Sequence, residues 1–271
     1  MMDNELIIRI FAFGALLLLM LLWEALAPRR AVSAKTGLRR LNNLLLLLLD
    51  VLVVRLCFPI AAVGTAVMAA DRGWGLFNLV DLNLIPAVLF SVILLDLVIY
   101  LQHVVFHKIP FLWLIHRVHH TDPQFDVTTG VRFHPFEIIL SMLLKMLIVL
   151  LLGAPVVAVI VFELILNGLA MFNHGNVNLP IKIDRYLRYF IVTPDMHRVH
   201  HSQIRVETDS NYGFFLPVWD RLFGTYRDQP ERGHLQMKIG LKEFEASDVV
   251  SLISLILQPF FRINQSQSLK I

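Results

Sequence analysis

Four long apolar runs dominate the pattern of hydrophobic and polar positions along this chain. They lie at about residues 6–27, 41–70, 84–106 and 136–172. Each reaches the roughly 20 residues that an α-helix needs to cross the hydrocarbon core of a bilayer. The last run contains Gly153-Ala154-Pro155, a combination that stops a helix, so it predicts a hairpin of two shorter helices. The pattern therefore predicts an all-α integral membrane protein with four to five transmembrane helices.

Composition supports a membrane location and limits the chemistry. Apolar residues make up 56% of the 271 positions and the mean hydropathy is +0.66, whereas soluble proteins average about 45–50% apolar residues. The formal net charge is only +3 and no nucleic-acid-binding motif is present, so no nucleic-acid partner is expected. The single cysteine, Cys57, excludes an intrachain disulfide and a zinc site built from thiolates. Any metal must therefore be held by nitrogen or oxygen.

Basic residues between the first two apolar runs predict the orientation in the membrane. This interval contains no acidic residue and five basic ones: Arg29, Arg30, Lys35, Arg39 and Arg40. Such an excess of positive charge marks a cytoplasmic loop. Following the helices from there places residues 103–135 and 173–271 on the cytoplasmic side. Because ten of the eleven histidines lie between residues 103 and 201, the cluster is predicted on this one face, at a bacterial inner membrane or the endoplasmic reticulum.

The pentapeptide His-Arg-Val-His-His occurs twice, at residues 116–120 and 197–201. Its histidines are three and four positions apart, so one helical turn presents all three on one face. Before the second copy, Thr193 is a good N-cap, Pro194 suits the first helical position and Asp195 suits the positive end of the helix dipole. Each copy therefore predicts a short helix that directs three imidazoles at a common centre.

A polar stripe is expected on the third apolar helix. Asp96, Tyr100, His103 and His107 are four, three and four residues apart and therefore share one face. The helix should end near Ile109, because the next residue is a proline. His103 and His107 are thus predicted in its last turns, at the cytoplasmic interface.

The histidine cluster predicts a site for two metal ions. Imidazole suits iron, zinc and copper, whereas calcium and magnesium prefer oxygen ligands. Dividing the ten clustered histidines among ions with four to six ligands gives two ions. Two redox-active irons would support oxygen activation, but a structural zinc pair could use the same ligands.

The histidine spacings resemble those of the fatty acid hydroxylase and sterol desaturase superfamily. The resemblance covers about residues 90–228 and rests on these segments: His103-x3-His107, His116-x2-His119-His120, Arg132-Phe133-His134-Pro135, Asn173-His174, His197-x2-His200-His201, 209–213 and 219–226. It implies a non-haem di-iron enzyme that uses O2 and two electrons to hydroxylate, desaturate or oxidatively cleave a lipid. A sterol, a fatty acyl or sphingoid chain and an alkylglycerol ether lipid all remain open as substrates.

By this resemblance ten histidines are expected as iron ligands: His103, His107, His116, His119, His120, His134, His174, His197, His200 and His201. A helix cap is the alternative role for His174, and a structural role is the alternative for His134. Five residues are candidates to orient the ligand imidazoles by hydrogen bonds: Asp96, Tyr100, Arg132, Glu137 and Asn173. Helix packing or a tunnel lining is the alternative for the first two, and an interfacial salt bridge for Arg132 and Glu137.

The resemblance also divides the chain and implies a partner. Residues 1–80 are expected as membrane anchor helices, 81–230 as the catalytic domain and 231–271 as a tail whose apolar part, 247–261, could lie on the membrane surface. No haem, flavin or iron–sulfur motif is present, so electrons should come from a separate cytochrome b5, ferredoxin or reductase. The basic candidates for docking an acidic donor are Arg117, Lys182, Arg185, Arg188 and Arg198, although anionic lipid headgroups explain Lys182, Arg185 and Arg188 equally well.

Two charged residues lie inside the predicted hairpin. Lys145 and Glu163 are each nine residues from Ala154, the centre of the break, so they should face each other at similar depth. Because isolated charges in a membrane are costly and tend to be matched, we expect them to pair. The alternatives are a side chain that reaches the interface or a hairpin that is only partly inserted.

Two other classes of function fit parts of the pattern. A bis-histidine haem protein that carries electrons would need histidine pairs on facing membrane helices, and a Soret band would identify it. A zinc-binding or zinc-transporting membrane protein would spread its ligands across the membrane depth, and activity with zinc but no iron would identify it. The interfacial triplets of this chain favour the oxygenase over both.

Overall fold

A computed structural model describes residues 5–32, 36–244 and 249–261 of the chain. Within these ranges the fold is helical and contains no strand beyond isolated bridges. Four helical stretches are long and apolar enough to cross a membrane: Thr36–Leu79, Leu84–Lys108, Pro135–Leu152 and Val156–Asn173. The predicted fold class, an all-α protein with several membrane-crossing helices, is therefore confirmed.

The helices of the described ranges follow one another with short connections. They are α1 (Glu5–Leu26), α2 (Thr36–Cys57), α3 (Ala61–Arg72), α4 (Leu76–Leu79), α5 (Leu84–Lys108), α6 (Pro110–His120), α7 (Pro135–Leu152), α8 (Val156–Asn173), α9 (Ile181–Leu187), α10 (Pro194–His200), α11 (Arg205–Thr208), α12 (Val218–Leu222), α13 (Gly233–Gln236) and α14 (Leu252–Leu257). Single 3-10 turns occur at Thr129–Val131 and Gln258–Phe260. The long helices form a bundle, and α6 with the short helices from α9 onward builds a cap at one end.

The second apolar run differs from its prediction. The pattern predicts one helix over residues 41–70, but α2 ends at Cys57 and α3 begins after a short break. Pro59 lies in this break, and a proline both lacks a backbone donor and disfavours helical geometry at the preceding residue. Asp50 and Arg55, by contrast, lie inside α2 and do not interrupt it.

The fourth run folds as the predicted hairpin. Gly153 ends α7 with a left-handed φ of 63°, and α8 begins directly after Pro155. A Cβ on Gly153 would lie 2.6 Å from the backbone oxygen of Trp74, and a Cβ on Gly75 would lie 2.1 Å from the Gly153 nitrogen. The hairpin tip therefore packs backbone to backbone on the turn between α3 and α4. This tip is at the end of the bundle opposite the cap, because α5 runs from the α4 end to α6.

Buried ionic contacts join α1 and α2 to the cap. Arg39 donates to Asp122 at 2.6 Å and also to Asp126. Arg40 bonds to Asp126 and to Glu24 of α1, each at 2.8 Å. Asp122 and Asp126 belong to the loop that follows α6. The first two helices, expected as anchors apart from the catalytic region, therefore hold this loop in place.

The C-terminal segment also packs into the body of the protein. α14 buries Leu255 in a cluster with Leu46 of α2 and Val118 of α6. The pattern predicts a membrane-surface helix over residues 247–261, but among the described residues the helix is shorter and its buried side faces α2 and α6. Residues 245–248 and 262–271 of the expected tail lie outside the described part of the chain.

Candidate metal centre

Nine histidines converge at the cap end of the bundle and form two groups. The first group contains His103, His107, His116, His120 and His200, and the second contains His119, His174, His197 and His201. In each group one nitrogen per ring lies within 4.8 Å of the others, and all nine residues are buried. Two compact sets of nitrogen donors are the arrangement that two neighbouring metal ions require.

Helix ends bring these histidines together from distant parts of the chain. Seven of the nine histidines lie in the last turns of α5, in the C-terminal half of α6 and in α10. The other two, His174 and His201, directly follow the last residues of α8 and α10. The predicted start of α10 is confirmed, because the Thr193 side chain accepts a hydrogen bond from Met196 N at 3.3 Å and Pro194 is the first helical residue. Local sequence therefore fixes the second pentapeptide as one turn of helix.

The hydrogen bonds of three rings show that their Nε2 atoms are free to bind a cation. Nδ1 of His103, His174 and His200 lies 2.7–2.8 Å from a backbone carbonyl, which can only accept, so each Nδ1 is the N–H donor. In the neutral ring Nε2 then carries a lone pair. The Nε2 atoms of His103 and His200 nevertheless face each other at 3.0 Å. Two opposed lone pairs at this distance need a cation between them, so the residues fit a metal.

Distances between other Nε2 atoms bear on whether the rings can share a metal ion. His107 and His120 are 3.1 Å apart, and His119 and His174 are also 3.1 Å apart. For metal–nitrogen bonds of about 2.1 Å, ligands at right angles are about 3.0 Å apart and tetrahedral ligands about 3.4 Å apart. The observed spacing therefore fits nitrogen ligands that share one metal ion in each group.

Burial keeps these imidazoles neutral, which is the form that binds metal. It lowers the pKa of His116 to about 3 and the pKa of His174 to about 4. Both ring nitrogens of His201 are buried without a hydrogen-bond partner among the described residues. A buried imidazole with no partner is costly unless it binds something else, so His201 is a second independent sign of a metal site.

Backbone carbonyls that orient the rings are the part of the site that the sequence pattern missed. His103 donates to the carbonyl of Tyr212 at 2.8 Å, His200 to that of Ser210 at 2.7 Å and His174 to that of Ala170 at 2.8 Å. Such bonds fix the tautomer and the direction of a ligand ring. A carbonyl leaves no trace in a pattern of side chains. Only the closing segment 209–213 of the family resemblance pointed to this region.

Among the five predicted orienting residues, Glu137 contacts one of the nine converging histidines directly. Its Oε1 lies 2.8 Å from Nδ1 of His116. Tyr100 acts on the histidines only through another residue. Its hydroxyl bonds to Thr225 at 2.8 Å, and its ring packs edge-on against Tyr212, whose carbonyl accepts the hydrogen bond of His103.

The other three predicted orienting residues support the surrounding fold. Asp96 accepts hydrogen bonds from Trp219 Nε1 and from the Leu216 backbone, so it holds the segment before and within α12. Asn173 donates to the carbonyl of Phe214 at 3.0 Å. The buried Arg132 donates to three acceptors: Val118 O, Asn43 Oδ1 and Thr121 Oγ1. It thereby fixes the C-terminal half of α6, which carries three of the histidines.

The structure brings His134, the tenth predicted ligand, into neither group. Its Nδ1 accepts from Phe136 N at 3.2 Å and so caps α7, and its Nε2 lies 3.1 Å from the carbonyl of Ile256. Both ring nitrogens are thereby engaged. The structural role that was the alternative for His134 matches this position.

Three of the five basic residues that were expected to dock an electron donor are buried, so the expectation is wrong for these three. Arg117 is buried and donates to the carbonyls of Gln258 and Phe261. Arg198 is buried against Asp195. Arg188 is buried too, and it pairs with the buried Asp184 and with the exposed Asp228. Lys182 and Arg185 are exposed on α9. The buried arginines bond to carbonyls and carboxylates inside the cap, so a partner protein cannot contact their guanidinium groups.

A cavity of about 360 Å³ runs from the histidines into the bundle. One end is lined by His103, His116 and His119, and most of its wall is apolar. Lys145 and Glu163 also line it, and their Nζ and Oε1 atoms are 2.8 Å apart. The predicted pairing of these two charges is therefore confirmed.

Three proteins illustrate what the chain is similar to. It is 28% identical to the ornithine lipid hydroxylase of Rhizobium tropici, over 53% of this chain and 42% of that protein. It is 26% identical to human alkylglycerol monooxygenase, over 49% of this chain and 29% of that protein. It is 25% identical to human cholesterol 25-hydroxylase, over 54% of this chain and 53% of that protein. No solved structure gives a significant match.

The segment that matches the family contains both histidine groups. The similarity covers between 29% and 53% of these three relatives, so about half of their length or more has no counterpart in the match. Residues 88–225, about half of this chain, match the fatty acid hydroxylase family and include all nine converging histidines. The chain belongs to the fatty acid hydroxylase family.

Proposed function

We propose that this protein is a membrane-bound non-haem di-iron oxygenase that uses O2 and two electrons to hydroxylate, desaturate or oxidatively cleave a lipid. The observation that carries the proposal is the division of nine buried imidazoles into sets of five and four beside an apolar cavity. Two bound irons would supply dioxygen activation and oxidation of a C–H bond. The nine histidines would hold them, and Glu137 and the carbonyls of Ser210 and Tyr212 would orient the ligands.

A lipid is the substrate class that best fits the cavity. Its wall is mainly apolar, and it begins at His103, His116 and His119, so a hydrocarbon chain inside it would present a carbon to the metal site. The relatives are named for ornithine lipid, alkylglycerol and cholesterol. These names agree on an amphiphile with a long apolar part and on no particular headgroup. We therefore assign the class and not the compound.

Electrons would come from a separate cytochrome b5, ferredoxin or reductase, and the region around Trp113 is where we place its contact. The half-buried Trp113 ring lies 4.9 Å from the ring of His107 and 5.3 Å from that of His120. Arg205, whose side chain is 65% exposed, holds its guanidinium 5.8 Å above Trp113. Arg205 and Lys108 share the single carboxylate of Asp209, which leaves a net positive charge there. An acidic donor would meet this charge close to two of the expected ligands. Unchanged reduction kinetics in Arg205→Glu would remove this assignment.

We place the metal site on the cytoplasmic face. The support is the basic loop between α1 and α2, whose Arg39 and Arg40 contact the same loop that follows α6. Lys182 and Arg185 are both exposed on α9 of the cap. Replacing each by cysteine and measuring its labelling by a membrane-impermeant thiol reagent tests this assignment. Labelling from the outside of intact cells would reverse it.

Metal analysis of detergent-purified protein from iron-replete cells tests the proposed function. We expect about two irons per chain, no Soret band, and loss of iron in His200→Ala and His201→Ala. His134→Asn is the matched control, because it removes a buried histidine outside both groups and leaves a residue that can still cap α7. Stoichiometric haem would support an electron carrier, and zinc without iron would support a zinc protein. Either result would overturn the di-iron proposal.

A further inference from the structure

The cavity has a polar end that the apolar wall does not explain. Lys145 lies eight residues after Glu137 on α7, which places it about 12 Å from the level of the metal site along the helix axis. Glu163 faces it from α8 at 2.8 Å. Both side chains line the cavity, and the two residues are only 9% and 7% exposed. A charged pair thus lies in the wall of a mainly apolar cavity.

Stability does not account for this pair. Replacing a buried ion pair by apolar residues of similar volume is often neutral or stabilising, because removing two charges from water costs as much as their attraction returns. Within a membrane span the same charges are rare and mark functional positions. The pair also lies on the cavity surface, where it can reach a bound molecule.

The chemistry of the pair selects an uncharged polar group. The ammonium and the carboxylate cancel, and Asp50 and Arg55, which also line the cavity, again carry one formal charge of each sign. A charged ligand group would therefore add an unmatched charge in a medium of low polarity. The ammonium has three N–H donors, and a carboxylate can accept several hydrogen bonds. A hydroxyl can accept from Lys145 and donate to Glu163 at the same time. An alkyl chain can use neither atom.

We propose that Lys145 and Glu163 form a subsite that binds a hydroxyl group of the lipid substrate and thereby fixes which carbon reaches the histidines. This inference deepens the proposed oxygenase function and rests on it for the identity of the reaction. The substrate class is an alcohol-bearing lipid whose hydroxyl lies about 12 Å from the oxidised carbon, measured along the helices. The hydroxyl itself stays unchanged in the reaction, because it is bound far from the metal site.

The neighbouring α2 adds residues that the family match does not cover. Asp50, Val54 and Arg55 line the same cavity, and all three precede the matched segment that begins at residue 88. The histidines of the cavity therefore lie inside the family match, while part of its wall comes from a helix outside that match. Selection of a substrate at that end is compatible with relatives that act on different lipids.

Binding of 1-dodecanol and n-dodecane to the purified full-length protein tests the subsite without any turnover. The two probes share a chain length and differ by one hydroxyl. We expect dodecanol to raise the unfolding temperature of the wild type more than dodecane at equal concentration. In the double variant Lys145→Met with Glu163→Leu, dodecanol binding should weaken at least about tenfold, since the hydroxyl loses bonds to charged groups.

Two further variants keep the test decisive. Leu147→Met with Leu164→Met changes the same two helices at exposed positions outside the cavity lining, and it should preserve the preference for dodecanol. If the apolar double variant does not fold, the exchanged pair Lys145→Glu with Glu163→Lys restores both charges and should retain the preference. Loss of the preference in the control and not in the apolar variant would contradict the subsite.

The outcomes separate this inference from the proposed function. Equal stabilisation of the wild type by both probes overturns the subsite, whatever metal the protein contains. A preference for dodecanol that depends on Lys145 and Glu163 supports the subsite even if the protein contains no iron, in which case the proposed function fails alone. With an active preparation, the apolar double variant should oxidise its lipid at several carbons where the wild type oxidises one, and an unchanged product position would also overturn the subsite.

Discussion

Replacing Arg39 by leucine should destabilise the cap more than any exposed substitution on it. Arg39 is 1% exposed and donates to both Asp122 and Asp126, which are 0% and 4% exposed. Arg40 still pairs with Asp126 after the change, so Asp122 is the carboxylate that loses its ion pair. Removing one partner of a buried ion pair costs about 3–5 kcal/mol. Because Asn43 and Thr129 also donate to Asp122, we expect the lower part of this range.

The assay is reversible unfolding in mixed detergent micelles, followed by circular dichroism. Arg185→Leu is the control: Arg185 is exposed on α9, and a surface change of this kind costs less than about 0.5 kcal/mol. Adding Asp122→Asn to Arg39→Leu should recover part of the loss, since it removes the unmatched charge. The reasoning is refuted if Arg39→Leu stays within about 1 kcal/mol of the wild type or if the second change adds its own full cost.

Three further predictions concern stability. Gly153→Ala should cost about 1–3 kcal/mol because of its positive φ and the close Trp74 carbonyl, while Gly37→Ala, with open space around it, should cost nothing measurable by thermal unfolding. Lys145→Leu should destabilise more than the same change combined with Glu163→Leu, and equal losses in a double-mutant cycle would contradict pairing. Burial lowers the pKa of His234 to about 4 from 6.5, so the stability it contributes is present above pH 6.5 and is lost as pH falls; relative to His234→Leu, the wild type should lose about 2 kcal/mol between pH 8 and 5.

Local patterns in the sequence predicted the elements of the site because helix signals are local. The hairpin break at Gly153, the cap at Thr193 and the shared face of His103 and His107 each depend on residues within one or two turns. The pairing of Lys145 with Glu163 was predictable for the same reason, since the two positions are symmetric about one turn. Pro59 was a comparable local signal for the break after α2, and the apolar run around it concealed the signal.

The features that the sequence did not reveal depend on contacts between distant segments. His134 precedes a proline inside a family motif, and nothing nearby indicates that the segment near Ile256 covers its ring. The contact between Arg39 and Asp122 joins positions 83 residues apart, so the basic loop was interpreted only as a topology signal. The arginines of the two pentapeptides were difficult for the same reason, because an arginine in a short polar helix is expected to be exposed and only distant segments bury these two.

The position of α2 separates part of the cavity wall from the candidate metal site. The histidines and their orienting carbonyls lie within residues 88–225, which match the family. Asp50, Val54 and Arg55 of α2 line the cavity from outside that match. Arg39, on the same helix, is tied to the loop after α6. A change in α2 that preserves Arg39 can therefore reshape the cavity and leave the two histidine groups intact, so the shape of the cavity can diverge while the histidine pattern does not.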